Sequence, residues 1–408
     1  MIGIGSRGPL GAEAPSAAPR VLPASWSRCD VADLDREAER PYWVAWSAVP
    51  GMGPASFVRL LTRFGSAAAA WRAGDAALAL MARPADTTAR AFHRMRRRGV
   101  LAVASEIEAA TRAAGGRLVT ALDREYPAAL AGVDPRPPVL HVAGESAALD
   151  APCVALVGTR RATGYGRACA IEIADELAAA GVSVVSGLAV GIDGEAHRAA
   201  IAAGGRTVAV LPGPLDRVYP PSHRTLAREI VERGGALMSE LAVGSAVGRP
   251  DFARRNRLIA GLAIATVVVE APDRSGALLT ATAALELGRE LYAVPGGIDS
   301  AASRGSNRLI ADHLAEMVTS PAALLAQIRV RPGQHDPLAA RLSESEALVL
   351  GALLRKSGSV EELLERTRLT PGPLAASLTL LESRGLANSY GGATFHPTLA
   401  ARRLARGG

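Results

Sequence analysis

The segment Asp251–Ala260, DFARRNRLIA, gathers Arg254, Arg255 and Arg257 around Asn256 within four residues. Guanidinium groups are planar, permanently charged and fitted to grip phosphate oxygens with two parallel hydrogen bonds. The run passes directly into an apolar stretch, LIAGLAIATVVVEA, that reads as helix end, turn and buried strand. The pattern therefore predicts cations held where a core element meets the surface, as a site for a polyanion requires.

Three further segments have the composition of anion-binding loops. In VGTRRATGYG, Gly158 permits a tight exit from a strand, Thr159 and Thr163 supply hydroxyls, and Arg160 and Arg161 supply charge. The glycines that follow open a helix whose free N–H groups favour an anion. In SGLAVGID, Ser186, Gly187 and Gly191 leave room for close backbone approach. Asp193 there reads as a helix cap rather than a base, and His197 as a packed helix residue. In EAPDRSGALLTA, Ser275 and Gly276 stand before another helix start. A glycine after a strand usually answers only a turn requirement. It is the convergence of four such loops that predicts a phosphate-binding groove.

These loops need a scaffold that delivers them to one edge. From Cys153 onward strand and helix alternate with a period of about 25–30 residues, and the strands are near-continuously apolar, as in a parallel sheet covered on both faces. CVALVG, VSVVSG, TVAVLPG, ALMSEL, ATVVVEA and LYAVPGG are the predicted strands. The fold class is α/β, a Rossmann-like doubly wound, mostly parallel sheet over 115–330. In such sheets ligands sit beyond the carboxyl ends of the strands, where all four segments fall.

The flanks differ. Residues 1–40, rich in Gly, Pro, Ala and Ser, read as a disordered tail. Residues 41–114 read as helical, with a Gly51-Met52-Gly53 turn between two apolar helices. This is either a plain helical hairpin or a helix-hairpin-helix (SAM-like) module whose turn approaches a phosphate. The basic run His93, Arg94, Arg96, Arg97 and Arg98 reads first as a solvated helix face. Residues 331–342 read as a linker. Residues 343–408 carry three short helices and a hairpin turning at Gly391-Gly392, a winged-helix arrangement. Its third helix has only Arg384 as a cation, which favours packing or protein contact over groove reading.

The chain has 408 residues and a net charge of +7, almost all of its positive charge being arginine, with Lys356 its single lysine. That balance points to a polyanionic partner. Cys29, Cys153 and Cys169 lie in no metal-ligand spacing, so no metal and no disulfide scaffold is expected. No membrane span and no secretory signal is legible, and the expected location is cytoplasmic. The first loop is not the G-x-G-x-x-G of dinucleotide folds, because Arg160 stands where a pyrophosphate needs the backbone. No phosphate-cradling G-x-x-x-x-G-K-[ST] occurs either. No nucleophile–base–orienter set is apparent, so neither cofactor nor catalytic residue is assigned.

VGTRRATGYG, VVSGLAVGIDGEAH, LPGPLDRVYPPSH, FARRNRLIAGL, VVEAPDRSGALLTATAALELGRELYAVPG and SRGSNRLI occur in the order and spacing of the DNA-processing protein A (DprA/Smf) family, which residues 116–320 resemble. The resemblance implies a bacterial cytosolic protein, not an enzyme, that binds single-stranded DNA. It would protect incoming strands in natural transformation, load the RecA recombinase onto them and act as a homodimer. It also implies that Arg160 contacts DNA and that Arg255, Asn256 and Arg257 form the family's R-N-R motif. The pairs Ser186-Gly187 and Ser275-Gly276 would line the same pocket. Thr159 replaces the commoner serine, and Pro212 and Pro214 stiffen a loop usually built of smaller residues. The rival reading is a nucleotide phosphoribohydrolase, whose P-G-G-x-G-T-x-x-E motif is not intact here. With 4% aromatic residues, base stacking is sparse; Tyr165 and Tyr219 are the rings best placed by sequence.

Overall fold

A computed structural model describes residues 35–81, 86–328, 342–383, 386–390 and 394–397. The part of the expected tail before residue 35, most of the expected linker, Arg384 and the Gly391-Gly392 turn lie outside the described residues. Helix begins ahead of Pro41: α1 spans Arg36–Ser47 and is capped by the Asp35 carboxylate, which accepts from the Ala38 N–H at 3.2 Å. Pro41 stands in the second turn, where it removes one backbone donor from the helix.

Helices α2 (Pro54–Phe64), α3 (Ala67–Ala73), α4 (Asp75–Leu78), α5 (Asp86–Arg98) and α6 (Val100–Ala113) complete the N-terminal unit. Its core is aromatic. Trp46 stacks on Phe92 with centroids 4.8 Å apart, and Trp71 meets both rings edge-on. Such pairs add to the burial of their large apolar area. The Glu39 carboxylate, buried, accepts from the Ala67 and Ala68 N–H groups and so anchors the start of α3.

Strands β1 (Arg117–Thr120) and β2 (Val139–Gly144) lie on either side of the proline-rich stretch 127–138, whose prolines suggest only an extended crossing. They instead extend the sheet. After α7 (Ala147–Asp150) the alternation is regular: β3 (Cys153–Gly158), α8 (Gly164–Ala179), β4 (Ser183–Ser186), α9 (Ile192–Ala202), β5 (Thr207–Val210), α10 (Arg224–Glu232), β6 (Ala236–Ser239), α11 (Arg249–Leu262), β7 (Ala265–Glu270), α12 (Gly276–Glu286), β8 (Glu290–Ala293), α13 (Arg304–Ala311), β9 (Glu316–Met317) and α14 (Pro321–Gln327).

The sheet order is β1-β2-β6-β5-β4-β3-β7-β8-β9, parallel from β6 to β9 with β2 and β1 antiparallel at one edge. The strand order reverses between β3 and β7, the switch point of a doubly wound sheet. Val154, Val184, Val208 and Val267 are fully buried, as the unbroken apolar strands require of a sheet with helices on both faces.

The C-terminal unit holds α15 (Glu344–Arg355), α16 (Val360–Thr367) and α17 (Pro371–Ser383) with a small antiparallel sheet of β10 (Gly358–Ser359), β12 (Thr394–Pro397) and β11 (Ala387–Tyr390). Its core is leucine-rich, including Leu353, Leu363, Leu374 and Leu381. Ser359 and Glu362 form a capping box at the start of α16: Ser359 Oγ accepts from the Glu362 N–H at 3.3 Å, and Glu362 accepts in return from the Ser359 N–H at 3.2 Å.

Candidate nucleic-acid interface

The carboxyl ends of β3, β4 and β5 and the N-terminal half of α11 enclose a hollow. Arg160, Gly187, Ala189, Pro212, Tyr219 and Phe252 line it with Arg255, and its cavity volume is about 50 Å³. A water needs about 10–15 Å³ on this measure, so the hollow admits a group the size of a phosphate and not a base with its sugar.

Arg255 forms the floor. It is 7% exposed and donates from Nη1 to the Gly187 carbonyl at 2.6 Å and to the Val210 carbonyl. Its Nε donates to Asn256 Oδ1 at 3.2 Å. Two strand-end carbonyls thus hold the guanidinium in place, and Nη2 is left for the hollow that the residue lines. Burial lowers its pKa to about 10, opposed by the charge of nearby Asp193. No carboxylate reaches ion-pair distance of Arg255 among the described residues. A phosphate entering the hollow would complete the missing half of a charge-assisted pair.

The loop after β4 is shaped around that guanidinium. A side chain at Gly187 would collide with it. The Asp193 carboxylate accepts from the Gly187 N–H at 3.1 Å and the Ala189 N–H at 3.4 Å. Asp193 therefore ties the loop that precedes its helix, a capping role displaced by several residues from the helix start. Burial raises its pKa despite the opposing pull of Arg255. Ser186 Oγ points inward and donates to the Leu156 carbonyl at 2.6 Å. Gly191 has φ +82°, and a Cβ there would strike the Thr159 and Arg160 backbone. The Ile192 N–H donates to the Thr159 carbonyl at 3.2 Å. The first and second loops are thereby joined as one ledge.

At the lip, exposed Arg160 lies over the Phe252 ring at 5.6 Å, and Phe252 meets Tyr219 edge-on at 5.4 Å. Tyr219 is 47% exposed. Phe252 was not singled out by sequence, although its position three residues before Arg255 places both on one helix face. Arg161 is exposed beside Arg160, and neither forms an ion pair among the described residues. Tyr165, the other ring expected to be available, stands apart from the hollow; its hydroxyl donates to the Pro295 carbonyl at 2.7 Å.

The remaining expected residues are turned to structural partners. Arg254 pairs with Asp251, and largely buried Arg257 pairs with Glu240. Asn256 donates to the Gly276 carbonyl at 3.2 Å, linking α11 to the start of α12, where Ser275 is the cap. Ser275 and Gly276 are thus connected to the hollow through Asn256 without lining it.

The start of α8 differs from expectation in a physically clear way. Its N-terminus does face an anion, but the anion is the chain's own Glu270, 1% exposed at the end of β7. Glu270 accepts from Thr163 Oγ1 at 2.7 Å and from the Thr163 N–H at 2.9 Å, while Thr163 caps the helix through the Gly166 N–H. A Cβ at Gly166 would meet this carboxylate. The crevice at the switch point, bordered by Gly158, is filled from within, and the open hollow lies one strand over.

Together the fold and the hollow define a Rossmann-like protein with an arginine-floored hollow on the carboxyl edge of its sheet. Residues 117–329 match the family model of DNA recombination-mediator protein A. The chain is 36% identical over 305 residues to protein Smf of Synechocystis, covering 72% of this chain and 74% of that protein. It is 41% identical over 326 residues to a putative DNA processing protein DprA of Mycobacterium tuberculosis, covering 74% and 82%. The X-ray structure of DNA processing protein A from Streptococcus pneumoniae superposes with a TM-score of 0.60 at 28% identity, covering 70% of this chain and 97% of that one. The chain belongs to the DNA recombination-mediator protein A (DprA/Smf) family, and its role lies in DNA processing for recombination. No described helix is long and apolar enough to cross a membrane.

Proposed function

We propose that the chain binds single-stranded DNA along the ledge formed by the loops after β3 and β4. The observation that carries this reading is Arg255: a buried guanidinium with no carboxylate at ion-pair distance among the described residues, lining a hollow of phosphate size. Arg160 and Arg161 supply the outer charge, and the Gly187 backbone allows close approach. Tyr219 and Phe252 offer a ring face beside the phosphate track, the combination that sequence-tolerant single-strand binders use. Gly158, Thr159, Thr163, Ser186, Gly191, Asn256, Arg257, Ser275 and Gly276 hold the ledge in shape. Arg254 stands at its border.

In the cell this grip serves to protect incoming single strands and to present them to the RecA recombinase, with the protein acting in the cytoplasm as a homodimer in natural transformation or recombination. It binds and delivers without catalysing a reaction and without a cofactor. The C-terminal helical unit, whose described α17 has no basic residue, serves as a packing or protein-contact module. The test is a binding comparison of the full chain with oligothymidylate and with duplex DNA of equal length. The reading requires tighter binding to the single strand; equal or tighter binding to duplex overturns it.

A further inference from the structure

A second cavity, of about 300 Å³, opens where the segment after β1 passes the N-terminal unit. Arg36, Arg124 and Arg136 line it, along with Asp123 and Tyr126. Asp123 is already engaged: it pairs with Arg40 at 3.3 Å and accepts from the Thr120 N–H at 2.7 Å. Arg136 is 6% exposed, and its Nε is buried without a hydrogen-bond partner among the described residues. None of the three arginines forms an ion pair among the described residues.

Arg136 is also held in place. Its guanidinium lies over the Tyr126 ring at 4.6 Å, and Tyr126 is fixed by a hydrogen bond from its hydroxyl to the Pro137 carbonyl at 2.8 Å. Prolines at 135, 137 and 138 stiffen the backbone on both sides. A buried, pre-oriented arginine with an unmet donor needs an acceptor, since an unsatisfied buried polar group is costly. With two further cations at the mouth, an anionic acceptor matches the charge of the cavity.

We propose that this cavity is a second phosphate site. Strand β1 runs parallel to β6 through antiparallel β2, so Thr120 and the cavity beyond it lie on the same carboxyl edge of the sheet as the hollow at Arg255. With ~4.8 Å per strand, the two sites are about 15–20 Å apart along the edge. The phosphate is supplied either by the same DNA strand, a few nucleotides on, or by a small phosphorylated molecule.

The test uses the full chain, titrated calorimetrically with inorganic phosphate and with adenosine monophosphate. The binding event at this cavity should weaken at least tenfold in Arg124→Ala and in Arg136→Gln and persist in Arg160→Ala, which probes the first site alone. Arg124 is exposed, so its variant keeps the proposal testable if Arg136→Gln fails to fold. If the strand is the source, Arg124→Ala also weakens binding of a long oligothymidylate while sparing a short one. If a small molecule is the source, neither oligonucleotide is affected. The proposal is overturned if the wild type binds no phosphate, if neither Arg124→Ala nor Arg136→Gln removes a binding event that the wild type shows, or if Arg160→Ala alone abolishes all phosphate binding.

Discussion

Arg160, Arg255 and Arg257 are the same residue type within one motif set, yet their surroundings assign them different work. Arg160 is exposed at the lip, so Arg160→Ala should fold normally and weaken single-strand binding about 10–100-fold, the worth of one charge-assisted contact, with equal loss for every base sequence. A gel-shift series over several homopolymers checks this; loss confined to one base would contradict it. Arg257 is paired with Glu240 in a largely buried site. Arg257→Ala should lower stability by about 3–5 kcal/mol through the uncompensated partner, and denaturant unfolding reads that effect. The sequence displayed all three arginines but not this division, because burial and pairing depend on Glu240, Gly187 and Val210, which are distant in the chain and brought near only by the sheet.

At the scale of elements, the repeating strand–helix pattern was legible almost throughout, since parallel strands buried on both faces announce themselves as unbroken apolar runs. The edge strands β1 and β2 were not, because prolines around them mask a pairing that tertiary contact supplies. The occupied start of α8 was equally hidden: Glu270 ends an apolar strand and reads as a strand residue until the fold brings it beneath Thr163. Glu270→Gln tests that link. It removes the charge facing the helix N-terminus, so stability should fall by about 1–2 kcal/mol while single-strand binding by the folded protein stays within a few fold. A large gain in binding would mean that the crevice, once vacated, is a phosphate site in its own right.

At the scale of the whole molecule, two buried histidines link stability to pH. Burial lowers His141 to about 4 and His197 to about 3 from an ordinary value of 6.5. Each remains neutral in the folded protein where it would be protonated in the unfolded chain. Their contribution is therefore full above pH 6.5 and is lost as pH falls toward those lower values, at about 1.4 kcal/mol per pH unit per proton. Buried Asp193 and Glu240, with raised pKa values, act in the opposite sense. The difference between wild type and His197→Gln isolates the histidine: the variant should lose less stability between pH 6.5 and 4. Parallel stability profiles for the two proteins would contradict that assignment.

The proposed grip is a property of the assembled edge, in which cations from separate loops would meet a polyanion with few rings to assist them. Binding of a fluorescent oligothymidylate measured across a salt series tests this most directly. With roughly 4–6 phosphates engaged, log K should fall against log salt with a slope of about −3 to −4, and Arg160→Ala should make the slope shallower by about 0.7. A flat titration, or a slope unchanged in Arg160→Ala, would contradict the account.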